Sequence, residues 1–201
     1  MLKRAFDCVA ASLGIALLSP LFLLAAAAIK LESPGPVFFT QERIGRRFRP
    51  FRILKFRTMV HRAEELGGQI TRQNDPRVTR IGSILRATKV DELPELINVL
   101  KGEMSVVGPR PEVGRYVERF PQEYSEILEV RPGLTDLASL KYIDEAALLE
   151  STQDWHEIYT NVILPDKLRL GREYVAKSSF VLDLALIVRT LVGIVRRVGC
   201  R

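Results

Sequence analysis

Cys8-Val9-Ala10-Ala11-Ser12-Leu13-Gly14-Ile15-Ala16-Leu17-Leu18-Ser19-Pro20-Leu21-Phe22-Leu23-Leu24-Ala25-Ala26-Ala27-Ala28-Ile29 runs 22 residues without a charge. At about 1.5 Å of rise per residue, a helix of that length crosses a hydrocarbon core of about 30 Å. Ser19-Pro20 interrupts it near the middle. Proline brings no N–H and bends a helix, while the Ser19 hydroxyl can bond a carbonyl left free. Lys3 and Arg4 precede the segment, and Lys30 and the basic stretch from Arg43 to Arg57 follow it, so both flanks favour the cytoplasmic side. A simple span puts one basic flank outside. A helix that enters, breaks at Ser19-Pro20 and returns to the same face satisfies both. A cleaved signal peptide ending near Ala25 to Ala28 is a third reading, disfavoured by the basic remainder and its acidic pair. Near the other end, Phe180 to Val195 is again apolar, interrupted by Asp183 and Arg189 and closed by Arg196-Arg197. It reads equally as an interfacial helix or as a buried core helix.

The 201 residues are most simply one domain, with 1–32 as the membrane helix and 33–201 as the remainder. A net charge of +6 favours anionic partners: phospholipid headgroups, a phosphorylated substrate or nucleic acid. The only cysteines, Cys8 and Cys200, indicate neither a disulfide framework nor a cysteine metal site, and His61 and His156 are isolated. A reducing, cytoplasmic setting fits. Val37-Phe38-Phe39-Thr40 and Phe51-Arg52-Ile53-Leu54-Lys55-Phe56 predict a short β-hairpin looped at Gly45, with Phe51, Ile53 and Phe56 on one side. His61 to Leu66 and Glu118 to Glu129 predict helices, and Gly67-Gly68 and Asn74-Asp75-Pro76 predict turns.

Two features carry chemistry. In Arg86-Ala87-Thr88-Lys89-Val90-Asp91-Glu92-Leu93-Pro94, Pro94 is tolerated in a first helical turn, so Asp91 and Glu92 stand at or just before a helix N-terminus. Adjacent helical residues point about 100° apart, so a Mg²⁺ ion on one carboxylate leaves the other free as a nucleophile. An acidic helix cap is the plainer reading. Gly108-Pro109-Arg110-Pro111 is a stiff corner that restricts Arg110, suited to a phosphate or a base if it is more than a simple turn. Arg131-Pro132-Gly133 forms a second corner.

Read together with Lys55-Phe56-Arg57-Thr58-Met59, Asp75-Pro76-Arg77-Val78-Thr79 and Asn98-Val99-Leu100-Lys101-Gly102-Glu103-Met104-Ser105, these motifs follow one another in an order that resembles bacterial sugar transferases. The closer resemblance is to monotopic polyprenyl-phosphate phosphoglycosyl transferases in their small, catalytic-core form. It implies transfer of a sugar-1-phosphate from a UDP-sugar to polyprenyl (undecaprenyl) phosphate, release of UMP, and a re-entrant helix hinged at Ser19 and Pro20. It implies that Asp91 is the nucleophile and carries the phosphosugar covalently, that Glu92 belongs with Asp91 to the Mg²⁺ site, and that Arg57 and Arg86 neighbour the phosphates with Lys55 nearby. Pro109, Arg110 and Pro111 then help hold the nucleotide. Where many members carry a late arginine, this chain has Leu134-Thr135-Asp136-Leu137-Ala138-Ser139-Leu140-Lys141-Tyr142, with Lys141 as the candidate substitute.

The chemistry agrees with that assignment. An ionised carboxylate attacks phosphorus without a general base, and a covalent intermediate splits one transfer into two steps. Cations must neutralise the diphosphate as UMP leaves. The expected architecture is α+β and mainly helical, membrane-embedded, with the hairpin near the membrane and amphipathic helices on its surface. The expected location is the bacterial inner (cytoplasmic) membrane with the catalytic part facing the cytoplasm, no nucleic acid is expected as a partner, and the oligomeric state is left open. The competing classes are a membrane-tethered nucleic-acid-binding module, using Phe48, Phe51 and Phe56 among the arginines, and a non-catalytic lipid-binding module.

Overall fold

The computed structural model describes residues 2–66, 75–150 and 154–199. The expected Gly67-Gly68 turn, Asn74 of the next turn and Cys200 lie outside these residues. Helix α1 (Leu2–Glu32) is a single run of 31 residues. Where the sequence predicts a break, the helix continues. Pro20 has no N–H to give the Ala16 carbonyl, and the Ser19 hydroxyl donates to that same carbonyl at 2.8 Å, so the acceptor freed by the proline is satisfied within the turn.

One face of α1 packs on the rest of the protein along its whole length. Ala11 and Ile15 meet Phe51, Ile53, Leu96 and Met104, and Phe22, Ala25 and Ile29 meet Phe56, Ile81 and Leu85. Both ends are also tied by polar bonds. Arg4 donates to the carbonyls of Val99 and Leu100, and Asp7 accepts from the Ser105 hydroxyl and the Val106 N–H. At the far end Glu32 accepts from the Ile81 N–H, and Arg57 donates to the carbonyls of Ser33 and Pro34 at 2.8 and 2.6 Å. The other face is open, with Val9, Leu13, Leu17, Leu24 and Leu31 exposed.

The predicted hairpin is present as β1 (Phe38–Ile44) and β2 (Pro50–Phe56), antiparallel from the Phe38–Phe56 pair to the Ile44–Pro50 pair. The first strand outruns Thr40 because Gln41 to Ile44 find partners in Pro50 to Ile53. Phe51 and Ile53 are buried in one cluster, as the alternation predicts. Phe56, three residues past Ile53, falls out of the alternation and is buried in a separate cluster with Phe22, Ala25 and Ile29, so it does not share their side. A 3₁₀ turn, Ala63–Leu66, replaces the expected helix after the hairpin. Next come α2 (Arg80–Ala87), capped by the Thr79 hydroxyl accepting from the Gly82 N–H, and α3 (Glu95–Lys101).

Strand β3 (Ser105–Val107) and strand β4 (Gly133–Thr135) pair in parallel, separated in sequence by α4 (Gly114–Val117) and α5 (Pro121–Ile127). This pairing sets the two corners back to back. A Cβ on Gly133 would lie 2.1 Å from the Gly108 nitrogen, so no side chain fits there. After β4 follow α6 (Leu137–Lys141), α7 (Glu145–Glu150), α8 (Trp155–Ile158), a π-helical turn (Tyr159–Ile163), α9 (Leu164–Lys177) and α10 (Phe180–Gly199). Among the described residues the fold is mainly helical with the hairpin, as expected, and the parallel β3–β4 pair adds a second small sheet that was not expected.

The main core joins α4, α5 and α9 through Tyr116, Val117, Tyr124, Ile127, Leu164 and Leu168, each burial contributing roughly 1.5–3 kcal/mol. Helix α10 combines the two readings of its sequence. Leu186 is buried against Val107 and Tyr174, and Asp183 accepts from the Tyr174 hydroxyl and the Lys3 ammonium, while Val181, Val188, Leu191 and Val195 stand exposed.

Candidate active site

Lys89, at φ 60°, turns the chain from α2 into a single 3₁₀ turn, Val90–Glu92, and Pro94 then occupies the N-cap position of α3. The acidic pair therefore sits just before a helix, as predicted. Helix α2 is pressed onto the end of β2: a Cβ on Gly82 would lie 2.0 Å from the Thr58 carbonyl oxygen. That contact carries Arg86 to the pair, with its Nε donating to Thr58 Oγ1 at 3.0 Å.

Lys55, Arg57, Arg86, Asp91, Glu92, Pro109 and Arg110 converge on one cleft of about 950 Å³, to which Lys89 and Asp136 also contribute. Pro111 is buried behind it, its carbonyl accepting from Arg43. Lys141 is not brought in. It is half exposed and paired with Asp166 at 2.7 Å. Arg57 is buried with its terminal nitrogens bonded to Ser33 and Pro34, so it fastens the end of α1 while adding positive charge beside the cleft. Phe51 and Phe56 belong to the core, so they offer no stacking platform for bases.

The two adjacent carboxylates differ sharply. Glu92 receives a bidentate fork from Arg110, with Nη1 at 3.2 Å and Nη2 on the other oxygen, and Lys55 Nζ at 3.1 Å. Burial alone would raise its pKa, but Arg110 and Lys55 outweigh burial and hold it well below the ordinary value. Asp91 is 8% exposed, and its Oδ1 is buried with no hydrogen-bond partner. Burial, then the charge of Glu92, pushes its pKa up against the opposing pull of Lys55, Lys89 and Arg86. Glu92 is thus a fixed, neutralised anion, and Asp91, which lines the cleft, keeps a buried oxygen with no hydrogen-bond partner.

Two further acids support this arrangement and carried no role in the sequence reading. Glu95 is fully buried and lies 3.2 Å from Lys55, which thereby bridges it to Glu92. Its position three residues after Glu92, on the next turn of the chain, is the signal that places it beside the pair. Asp136 caps α6 by accepting from the Ser139 N–H at 2.6 Å, and also accepts from the Arg110 N–H at 3.3 Å, so it steadies the corner that presents Arg110. An aspartate directly before a helical run is a recognisable cap.

The donors fit a hard divalent cation. They are carboxylate oxygens, one without a partner, and Mg²⁺ commonly uses one or two protein carboxylates together with water and phosphate oxygens. Among the described residues no group of three or more His, Cys, Asp or Glu forms a protein-only cage.

An acidic pair, Asp91 buried and Glu92 partly so, in a cation-lined cleft beside a long helix with an open apolar face has the makings of an enzyme site that takes anionic groups. The bacterial sugar transferase family profile matches residues 1–197, and the chain belongs to that family. It is 40% identical, over all of its length, to a UDP-N-acetylgalactosamine-undecaprenyl-phosphate N-acetylgalactosaminephosphotransferase of Aeromonas hydrophila, and spans 45% of that protein. It is 44% identical over 94% of its length to a UDP-glucose:undecaprenyl-phosphate glucose-1-phosphate transferase of Caulobacter vibrioides, spanning 68% of it. It is 36% identical over 95% of its length to the exopolysaccharide production protein ExoY of Rhizobium meliloti, spanning 84% of it.

Proposed function

We propose that the protein transfers a sugar-1-phosphate from a UDP-sugar to undecaprenyl or a related polyprenyl phosphate, releasing UMP, with Asp91 as the covalent carrier. The observation that carries this is the unpartnered, buried oxygen of Asp91 beside a neighbouring carboxylate, Glu92, that is already neutralised. In the first step an Asp91 oxygen bonds to the sugar-bearing phosphorus. The bond from that phosphorus to the bridging oxygen breaks, and UMP departs with the electron pair. In the second step an oxygen of the polyprenyl phosphate attacks the same phosphorus, and the Asp91 carboxylate is released. Arg86, Lys89 and Arg110 stabilise the charge that develops on the phosphates, and Glu92 and Asp136 hold Arg110 in place. A Mg²⁺ ion held by Asp91 and Glu92 would supply further charge neutralisation on the diphosphate.

The membrane arrangement belongs to the same proposal. A helix crossing the bilayer leaves one end far from a domain on one side, whereas here Arg4 and Asp7 at one end and Glu32 at the other bond to the same body. That supports a helix that enters one leaflet and leaves by the face it entered, with the catalytic part on the cytoplasmic side of the bacterial inner membrane. Its lipid-facing side would be Leu13, Leu17 and Leu24. The test is UMP release from a panel of UDP-sugars with polyprenyl phosphate and Mg²⁺. Release with one or more donors, lost on adding EDTA, is expected. No release with any donor would overturn the reading.

A further inference from the structure

One wall of the cleft takes no part in the chemistry above. Ile187, Leu191 and Ile194 of α10 line it together with Leu140 of α6, and their three- and four-residue spacing makes them one face of the helix. Leu191 is also 59% exposed and adjoins the outward apolar stripe of Val188, Val192 and Val195. The cleft therefore opens sideways onto the apolar outer face of α10. At its inner end the wall meets the charged groups: Thr190 bonds Thr135 at 2.6 Å, next in sequence to Asp136, which holds the Arg110 backbone. Ser139 Oγ, on the same stretch of lining, is buried without a partner.

We propose that this wall is the path of the lipid acceptor, with the first isoprene units lying against Ile187, Leu191 and Ile194 and the phosphate reaching past Ser139 to Arg110 and Asp91. The complementarity is specific to an amphiphile. The inner end is cationic and hydrogen-bonding, and the stretch from Ile187 to Ile194 is apolar and continuous with an exposed apolar surface at Leu191, while Arg197 one turn further is held by the Ile143 carbonyl and Asp144. A nucleotide sugar has nothing to bury on that apolar stretch. The inference rests on the phosphoglycosyl transfer proposed above.

The experiment separates the two half-reactions in detergent, using a UDP-sugar that the wild type accepts and a short-chain, soluble prenyl phosphate. Leu191 is exposed enough for Leu191→Gln to fold. That variant is expected to raise KM for the prenyl phosphate about tenfold, the scale of one lost apolar contact, while single-turnover UMP release without acceptor keeps the wild-type rate. Val181→Gln, on the outward face of the same helix and outside the cleft lining, serves as the control and should change neither. An unchanged KM in Leu191→Gln, an equal loss in both half-reactions, or an equal effect of Val181→Gln would each overturn the lipid path while leaving the transfer reaction standing. Absence of UMP release in the wild type would instead remove the transfer reaction, and the path with it.

Discussion

The open face of α1 and the floor of the cleft invert the usual distribution of residues in opposite senses. Leu17 and Leu31 stand 78% and 88% exposed, whereas Asp91 is 8% and Glu95 0% exposed. Exposed leucines of this density are unfavourable in water and become favourable where a bilayer or another apolar surface covers them. Buried carboxylates are unfavourable until cations meet them, and the cleft does this unevenly. Arg110 and Lys55 satisfy Glu92, while Asp91 keeps an oxygen that no protein group satisfies. The fold thus leaves two deficits, one apolar and one polar, and a lipid-linked phosphate transfer at an interface would fill both.

The largest effect should come from removing the polar deficit. Asp91→Asn is expected to lower turnover by at least about 10³-fold, the scale on which a covalent nucleophile is lost. Its thermal midpoint should equal or exceed that of the wild type, because burial and Glu92 disfavour the charge at this position. A lower midpoint in differential scanning calorimetry would show that the aspartate is structural.

Breaking the satisfied carboxylate should do the reverse. Arg110→Met leaves Glu92 facing Lys55 alone, and is expected to cost about 2–4 kcal/mol in urea unfolding, the range for stripping a partner from a largely buried ion pair. A loss below the effect of an ordinary surface substitution would mean that the fork is not structural.

The pair should also separate with pH. Glu92, depressed below its ordinary 4.5, contributes stability that is present above 4.5 and is lost as pH falls through its folded value. Asp91, raised above 3.8, contributes stability that is full below 3.8 and is lost as pH rises through its folded value. In the metal-free protein, carboxyl titration followed by NMR should therefore place Asp91 above 3.8 and Glu92 below 4.5, and Asp91 at or below 3.8 would contradict the assignment.

On the apolar side, single changes should be small. Leu17→Gln is expected to weaken partition into liposomes by about 1 kcal/mol, roughly fivefold, read by co-sedimentation. No change would mean that this face of α1 does not enter lipid.

Local patterns made much of this visible in the sequence. The hairpin follows from alternation at Phe51 and Ile53, and Pro94 marks the start of α3 just after the acidic pair. Long-range placement was not visible. The hydroxyl bond from Ser19 to the Ala16 carbonyl is legible locally, but that α1 stays helical through Pro20 is not. Both halves of the helix pack on residues distant in sequence, Phe51 and Leu96 on one side of the proline and Phe56 and Leu85 on the other. Lys141 resembled a cleft cation, yet a partner 25 residues away, Asp166, draws it outward. Glu95 shows only as one more acid after Pro94 until α3 packs against β2 and buries it beside Lys55. Charged side chains are placed by partners distant in sequence, and periodicity carries no information about those partners.

The most direct measurement is the intact mass of the protein after incubation with an accepted UDP-sugar and Mg²⁺, without lipid acceptor. The account predicts a mass increase of one sugar phosphate that peptide mapping assigns to Asp91, that disappears on adding polyprenyl phosphate, and that never forms in Asp91→Asn. An unmodified mass under single-turnover conditions in which UMP is released, or an adduct on another side chain, would contradict it.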